Sequence, residues 1–316
     1  MNYILLLIGF VLLIKGADFA VSGGSGIAGH FRISPVIIGL TVIAFGTSLP
    51  EAAVSVTGSI TGQSGIAVGN VLGSNLFNLL MVGGVSVMLQ PMKVDRVLLK
   101  RDFPVSLLAV LFVVVLSAKA FFTGQESFTI NRIGGIVLLV VFAAFMGLLF
   151  AEAKKDRASA EEAPEAERSL PMNFLFTVGG LIGIVIGSDL VVDSATEIAY
   201  SFGLSETFVG LTIVSVGTSL PELVTSMVAA KKGSNEIALG NIVGSNIFNL
   251  LLVLGLAAAI APVTVPSYLF VDCILLTVVT LLAMFFCRSE HLFSRKEGVL
   301  FFLIYLFYFA YIFMRG

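Results

Sequence analysis

The chain has 316 residues, 57% of them hydrophobic and only 12% charged, with a mean hydropathy of +1.04; a water-soluble domain carries roughly a quarter charged residues. Its apolar residues fall in runs of about 20, the length that crosses a bilayer core as a helix, which excludes a soluble globular protein. The net charge of −2 gives nucleic acid nothing to bind, and no phosphate-binding loop or dinucleotide fingerprint occurs, so no nucleotide partner is expected.

Ten apolar spans are predicted in chain order, near 3–22, 35–60, 66–89, 103–119, 130–151, 172–194, 205–230, 236–260, 268–287 and 297–314. The first carries Lys15 and Asp18, which can pair across one turn. His30 and His291 stand alone in hydrophilic connections and read as surface residues. Cys273 and Cys287 share an apolar segment and read as buried small hydrophobes, with no metal or disulfide partner. One connection is long: residues 152–171 are polar, rich in Ala and Glu, contain Pro164, and read as a linker between two halves, 1–151 and 172–316.

Fourteen Lys and Arg fall in connections on one side, from Arg32 through Lys93, Arg96, Lys100 and Arg101, the linker, Lys231 and Lys232 to Arg288, Arg295 and Lys296. The opposite side has three: Lys119, Arg132 and Arg315. The positive-inside rule makes the rich side cytoplasmic. A plasma-membrane protein with a cytoplasmic linker and both termini extracytoplasmic follows.

The second and seventh spans share a hexapeptide, GTSLPE, at Gly46–Glu51 and Gly217–Glu222, 171 residues apart. The offset persists. GLTVIAFGTSLPE from Gly39 matches GLTIVSVGTSLPE from Gly210, and GNVLGSNLFNLL from Gly69 matches GNIVGSNIFNLL from Gly240. Even Asp18 falls on Asp189, although these two read as interfacial or capping residues. The repeated blocks cover 39–84 and 210–255. Each half has five spans, an odd number, so the second is inverted relative to the first, an arrangement typical of secondary transporters. The fold class is therefore all-α, with ten transmembrane helices as two inverted five-helix repeats.

Within the hexapeptide, Pro50 lacks an N–H and clashes with the carbonyl of Gly46, so it breaks the helix and is expected to free upstream carbonyls such as that of Ala44. Ser48-x-x-Glu51 also fits a capping box. A capping role alone does not explain a carboxylate at membrane depth, which costs about 2.5–3.5 kcal/mol to insert, and the cost recurs at Glu222. Asn70, Ser74 and Asn78 follow at i, i+4 and i+8 on one helix face, as do Asn241, Ser245 and Asn249. The glycines between them suit close helix packing. Carboxylates, hydroxyls, amides and carbonyls, with no thiol, imidazole or fixed cation, form an oxygen-only set for hard cations such as Ca²⁺. Two carboxylates balance one Ca²⁺, or two or more Na⁺ on the same oxygens. Occupancy by one ion or the other is the basis of antiport. No enzymatic chemistry and no cofactor are implied.

At these motifs the chain resembles the cation/calcium exchanger superfamily, specifically its prokaryotic sodium/calcium exchanger-like members, over its whole length. The resemblance implies four clustered cation sites with Glu51 and Glu222 as shared acidic ligands. It adds Thr47, Ser48, Ser74 and Asn78 from the first half and Thr218, Ser219, Ser245 and Asn249 from the second, with the carbonyls of Ala44 and Ser215. It also implies that spans one and six slide to alternate access. One departure is that relatives often carry an aspartate in one half where this chain has Asn78 and Asn249. The short linker excludes the regulatory calcium-binding domains of animal exchangers. Expected function is Na⁺/Ca²⁺ antiport; a proton-coupled or otherwise differently coupled cation exchanger, a passive cation channel and a membrane scaffold are the rival readings.

Overall fold

The computed structural model describes residues 2–159, 168–203, 215–289 and 291–315. Helices dominate it, as the apolar runs require: in lipid every backbone polar group must be satisfied within the segment. The first half comprises α1 (Asn2–Phe31), α2 (Pro35–Ile38), α3 (Ala44–Thr47), α4 (Leu49–Ile60), α5 (Ser64–Leu76), α6 (Gly84–Leu89), α7 (Phe103–Phe122) and α8 (Arg132–Ser159). The second comprises α9 (Leu170–Ser201), α10 (Ser215–Gly217), α11 (Leu220–Lys231), α12 (Asn235–Ile247), α13 (Leu254–Ile260), α14 (Leu269–Ser289) and α15 (Arg295–Arg315).

Among the described residues, seven continuous helical segments are long and apolar enough to cross a membrane, or eight if the bent pair Pro35–Thr47 and Leu49–Ile60 counts as one broken span. This is an all-helical membrane protein. α15 is 21 residues long, with Arg295, Lys296 and Glu297 in its first turn and an apolar run after it. Of the segment expected at 205–230, residues 205–214 lie outside the described residues.

Several elements differ from their expected bounds. α1 and α9 have 30 and 32 residues and run well past the expected 3–22 and 172–194. At 1.5 Å per residue each is about 45 Å or longer, more than the hydrocarbon core of about 30 Å. They pack on each other through glycine. A Cβ on Gly16 would lie 2.7 Å from the Gly180 carbonyl, and one on Gly180 would lie 2.4 Å from Ala20 N. Gly9 meets Gly187 in the same way, so ascending positions on α1 meet descending positions on α9 and the pair is antiparallel.

Wider turns of π-helix interrupt the ladder at Gly39–Ile43, between α2 and α3, and at Phe77–Gly83 and Phe248–Val253, which continue α5 and α12 into α6 and α13. The segments Ser64–Leu89 and Asn235–Ile260 form the centre of the molecule: 78% and 83% of their apolar windows are buried, against 22–39% in the five other helices. Around them α4 packs on α5 and α11 on α12. Gly39 and Gly240 bring the turn after α2 against α12; a Cβ on Gly39 would lie 2.7 Å from the Ile237 carbonyl.

Two short antiparallel ribbons join connections from opposite halves, a feature the all-helical reading did not anticipate. β1 (Met92–Lys93) pairs with β4 (Leu292–Phe293), and β2 (Ser127–Ile130) with β3 (Val263–Pro266). Cys273 and Cys287 are buried and free, and His30 and His291 are exposed, as expected.

Candidate functional site

The site begins where the second span breaks. α3 ends at Thr47, Ser48 sits at φ −87° and ψ 9°, and α4 restarts at Leu49. Pro50 falls in the first turn of α4, where its missing N–H is an orphan in any case. The two pieces meet at 51°. In the second copy Ser219, at φ −96° and ψ 7°, precedes α11 with Pro221 in its first turn. The break places Glu51 and Glu222 in first helical turns, where the partial positive charge of the helix N-terminus favours a carboxylate.

Two sequence expectations about this break need correction. The carbonyl of Ala44 is not released: it accepts from Ser48 N at 3.0 Å and from Thr47 Oγ1 at 3.3 Å. The chain turns at Ser48, one helical turn after Ala44, so the i−4 bond to Ala44 survives. Nor does Ser48 form a capping box. No side-chain capping bond is made at either serine; Ser48 Oγ donates to Glu222 Oε1 at 2.9 Å, across 174 residues.

The reciprocal bond exists: Ser219 Oγ donates to Glu51 Oε1 at 2.9 Å and lies 3.1 Å from Ser74 Oγ. A second hydroxyl reaches each carboxylate from its own half, Ser74 to Glu51 Oε1 at 3.4 Å and Ser245 to Glu222 Oε1 at 3.3 Å. Each glutamate is wholly buried. One of its oxygens takes two hydroxyls, one from each half, while its other oxygen, Oε2, has no partner among the described residues.

Asn78 and Asn249 are also wholly buried, and neither atom of either amide has a partner among the described residues. Both lie in the π-helical turns, an irregularity that often marks functional positions. They do not join the hydrogen-bonded cluster. A buried acceptor left unsatisfied costs about 1–3 kcal/mol, and native structures rarely concentrate so many without a ligand to meet them. Thr47 and Thr218 complete the set, bonded to Asn241 and Asn70 respectively. The side chain of Ser215 lies outside the described residues; its backbone opens α10.

Four residues of the second motif lie outside the implied ligand set: Asn70 and Asn241, read from the sequence only as part of its polar face, and Asn75 and Asn246, not read at all. Asn70 Nδ2 donates to the Glu51 carbonyl at 3.2 Å and to Ser55 Oγ at 2.9 Å. Asn241 Nδ2 does the same to the Glu222 carbonyl and Ser226 Oγ, at 3.5 and 3.0 Å. Asn75 and Asn246 each donate to the other's backbone carbonyl at 3.2 Å. The signal was present, since all of these residues, the two serines included, are identical at the 171-residue offset. Elsewhere, Asp18 is held by Lys232 at 2.6 Å rather than by Lys15, because the C-terminal end of α11 packs on α1 there.

Among the described residues no group of three His, Cys, Asp or Glu comes together. The cluster is a buried, oxygen-lined centre with two carboxylates in a membrane protein, a set of donors of the kind that suits hard cations. The family model described as "Sodium/calcium exchanger protein" matches residues 1–151 and 172–314. The chain is 42% identical over 261 residues to "Putative antiporter CaxA" of Alkalimonas amylolytica, covering 82% of this chain and 81% of that one. To "Sodium/calcium exchanger MaX1" of Methanosarcina acetivorans it is 32% identical, with 96% of each chain covered. Its fold is similar to that of the sodium-calcium exchanger NCX_Mj, solved after soaking with 2.5 mM Na⁺ and 1 mM Sr²⁺: the TM-score is 0.83 at 33% identity, over 98% of this chain and 97% of the other. The chain belongs to the sodium/calcium exchanger family.

Proposed function

We propose that the protein is a secondary antiporter exchanging Na⁺ for Ca²⁺ across the plasma membrane, by alternating access at the buried centre. The observation that carries this reading is the divided use of the two glutamates. In each, Oε1 is bound by hydroxyls from both halves while Oε2 is buried without a partner among the described residues. The bound oxygens hold the carboxylates in place, and the free oxygens, with the amides of Asn78 and Asn249, are left for cargo. The ligand set is Glu51, Thr47, Ser48, Ser74 and Asn78 with Glu222, Thr218, Ser219, Ser245 and Asn249. Two negative charges neutralise one Ca²⁺ or two Na⁺, so one cargo displaces the other.

The architecture of this reading is ten spans in two inverted repeats, 1–151 and 172–316, joined by a cytoplasmic linker at 152–171, with both termini outside. The antiparallel pairing of α1 with α9, whose sequences align at the 171-residue offset, supports the inversion, as do the reciprocal bonds between equivalent residues. The Lys and Arg distribution supports the orientation.

The test is radiolabelled Ca²⁺ uptake into proteoliposomes loaded with Na⁺. Uptake should require the outward Na⁺ gradient and collapse when Na⁺ is equal on both sides. Uptake that ignores Na⁺ and follows ΔpH would mean proton coupling, and Ca²⁺ running down its own gradient without a counter-ion would mean a channel.

A further inference from the structure

Asn70 and Asn241 are not in the ligand set, yet each makes the same bonds in the two halves. Each amide nitrogen is spent within its own half, on the carbonyl of that half's glutamate and on Ser55 or Ser226. Each amide oxygen faces the other half. Thr47 Oγ1 donates to Asn241 Oδ1 at 3.1 Å, and Thr218 Oγ1 to Asn70 Oδ1 at 3.5 Å. The Thr-Ser pair of one hexapeptide therefore serves the glutamate helix of the other: Ser48 reaches the carboxylate of Glu222, and Thr47 reaches the asparagine that holds its carbonyl.

A hydroxyl binds a cation through its lone pairs, so its single proton must point elsewhere. Thr47 Oγ1 has two acceptors in reach, Asn241 Oδ1 at 3.1 Å and the Ala44 carbonyl of its own helix at 3.3 Å; Asn241 Oδ1 is the nearer and is placed to take that proton, as Asn70 Oδ1 is to take it from Thr218. We infer that Asn70 and Asn241 are positioning residues for ion binding, each orienting the threonine hydroxyl of the opposite half so that its lone pairs are available to cargo. They also tie the break of each broken span to the glutamate helix of the other repeat. The inference rests on the antiport reading above. The two pairs are not equal: Thr47 and Asn241 are wholly buried and closer, whereas Thr218 and Asn70 are half-buried and further apart. The drier pair should be the more strongly coupled.

Double-mutant cycles in the apparent Na⁺ and Ca²⁺ affinities of reconstituted protein test this. T47V and N241A should each weaken affinity about tenfold, the size of one good hydrogen bond, and together weaken it little further. T218V with N70A should behave alike with a smaller effect. The same-half combinations, T47V with N70A and T218V with N241A, should simply multiply. In N241A and N70A, which remove no ligand, maximum rate and thermal unfolding temperature should move little, which separates misorientation of a ligand from loss of fold. Asn→Ser variants, too short to reach the threonine, replace any alanine variant that does not fold. Multiplicative effects in the cross-half pairs, or coupling confined to the same-half pairs, would overturn the inference. If wild-type protein shows no Na⁺-driven Ca²⁺ uptake, it is the antiport reading that fails.

Discussion

Glu51 and Glu222 are wholly buried, and a carboxylate buried without compensation is among the costliest groups a protein can hold. Hydroxyls bind one oxygen of each, and the other, which has no partner among the described residues, is the one the proposed antiport assigns to cargo. Removing one partner of a buried ionic set costs about 3–5 kcal/mol, which is more than a hundredfold in affinity. Glu51→Gln and Glu222→Gln should therefore each abolish measurable Ca²⁺ binding by titration calorimetry, while the folded protein is retained. Glutamine keeps the size and can still accept from Ser219 or Ser48. Normal binding in either variant would show that its carboxylate does not face the ion. These two residues were legible in the sequence, because two acids at equivalent depths are hard to explain otherwise. The serines opposite them were legible only as residue types. Read locally, Ser48 and Glu51 satisfied a capping box; nothing in a one-dimensional pattern says that Ser48 belongs to Glu222.

At the scale of elements, apolar length and the 171-residue offset located most helices, and proline located the break. What they missed has a common cause in packing. The sequence has no signal for the π-turns carrying Asn78 and Asn249, since a single extra residue per turn leaves the apolar pattern nearly unchanged. Beyond residue 22 α1 is glycine-rich and carries little apolar signal; Gly23 and Gly26 lie against Asn173 of α9, whereas Gly24 faces Ile38 and Ile43. The α1–α9 contact makes a sharp prediction. Gly180→Ala places a methyl 2.4 Å from Ala20 N and 2.5 Å from the Gly16 carbonyl, so α1 and α9 must separate. Overpacking of this kind costs about 1–3 kcal/mol. Gly179→Ala, one residue earlier, meets nothing within 4 Å and should be neutral or mildly stabilising through helix propensity. Thermal unfolding in detergent should fall for the first variant and hold or rise for the second. Equal behaviour would mean that the α1–α9 contact does not set stability.

At the scale of the whole molecule, neither half holds the hydrogen-bonded cluster alone. Glu51 needs Ser219 and Glu222 needs Ser48, and Asn75 and Asn246 brace the two central helices with bonds that neither half can make alone. Both ribbons likewise pair a strand of one half with a strand of the other. Between α8 and α9, by contrast, the chain is continuous only through residues 160–169, a shorter link than the 152–171 expected because α8 runs on to Ser159; residues 160–167 lie outside the described residues. Covalent continuity there should matter far less than these bonds across the halves. Chains 1–159 and 168–316, expressed together, should co-purify and recover Na⁺-driven Ca²⁺ uptake in proteoliposomes. Either chain alone should bind neither ion, since each would expose half of a cluster whose hydroxyl donors to carboxylate oxygen come from both sides. Ca²⁺ binding by the first chain alone, with its single glutamate, would show that the pair is not the unit of function. Recovery on co-expression with Ser48→Ala in one chain should then fall as far as with Glu222→Gln in the other only if the hydroxyl does more than hold the carboxylate. A smaller loss would assign Ser48 to positioning and leave the negative charge of Glu222 as the main attraction for the ion.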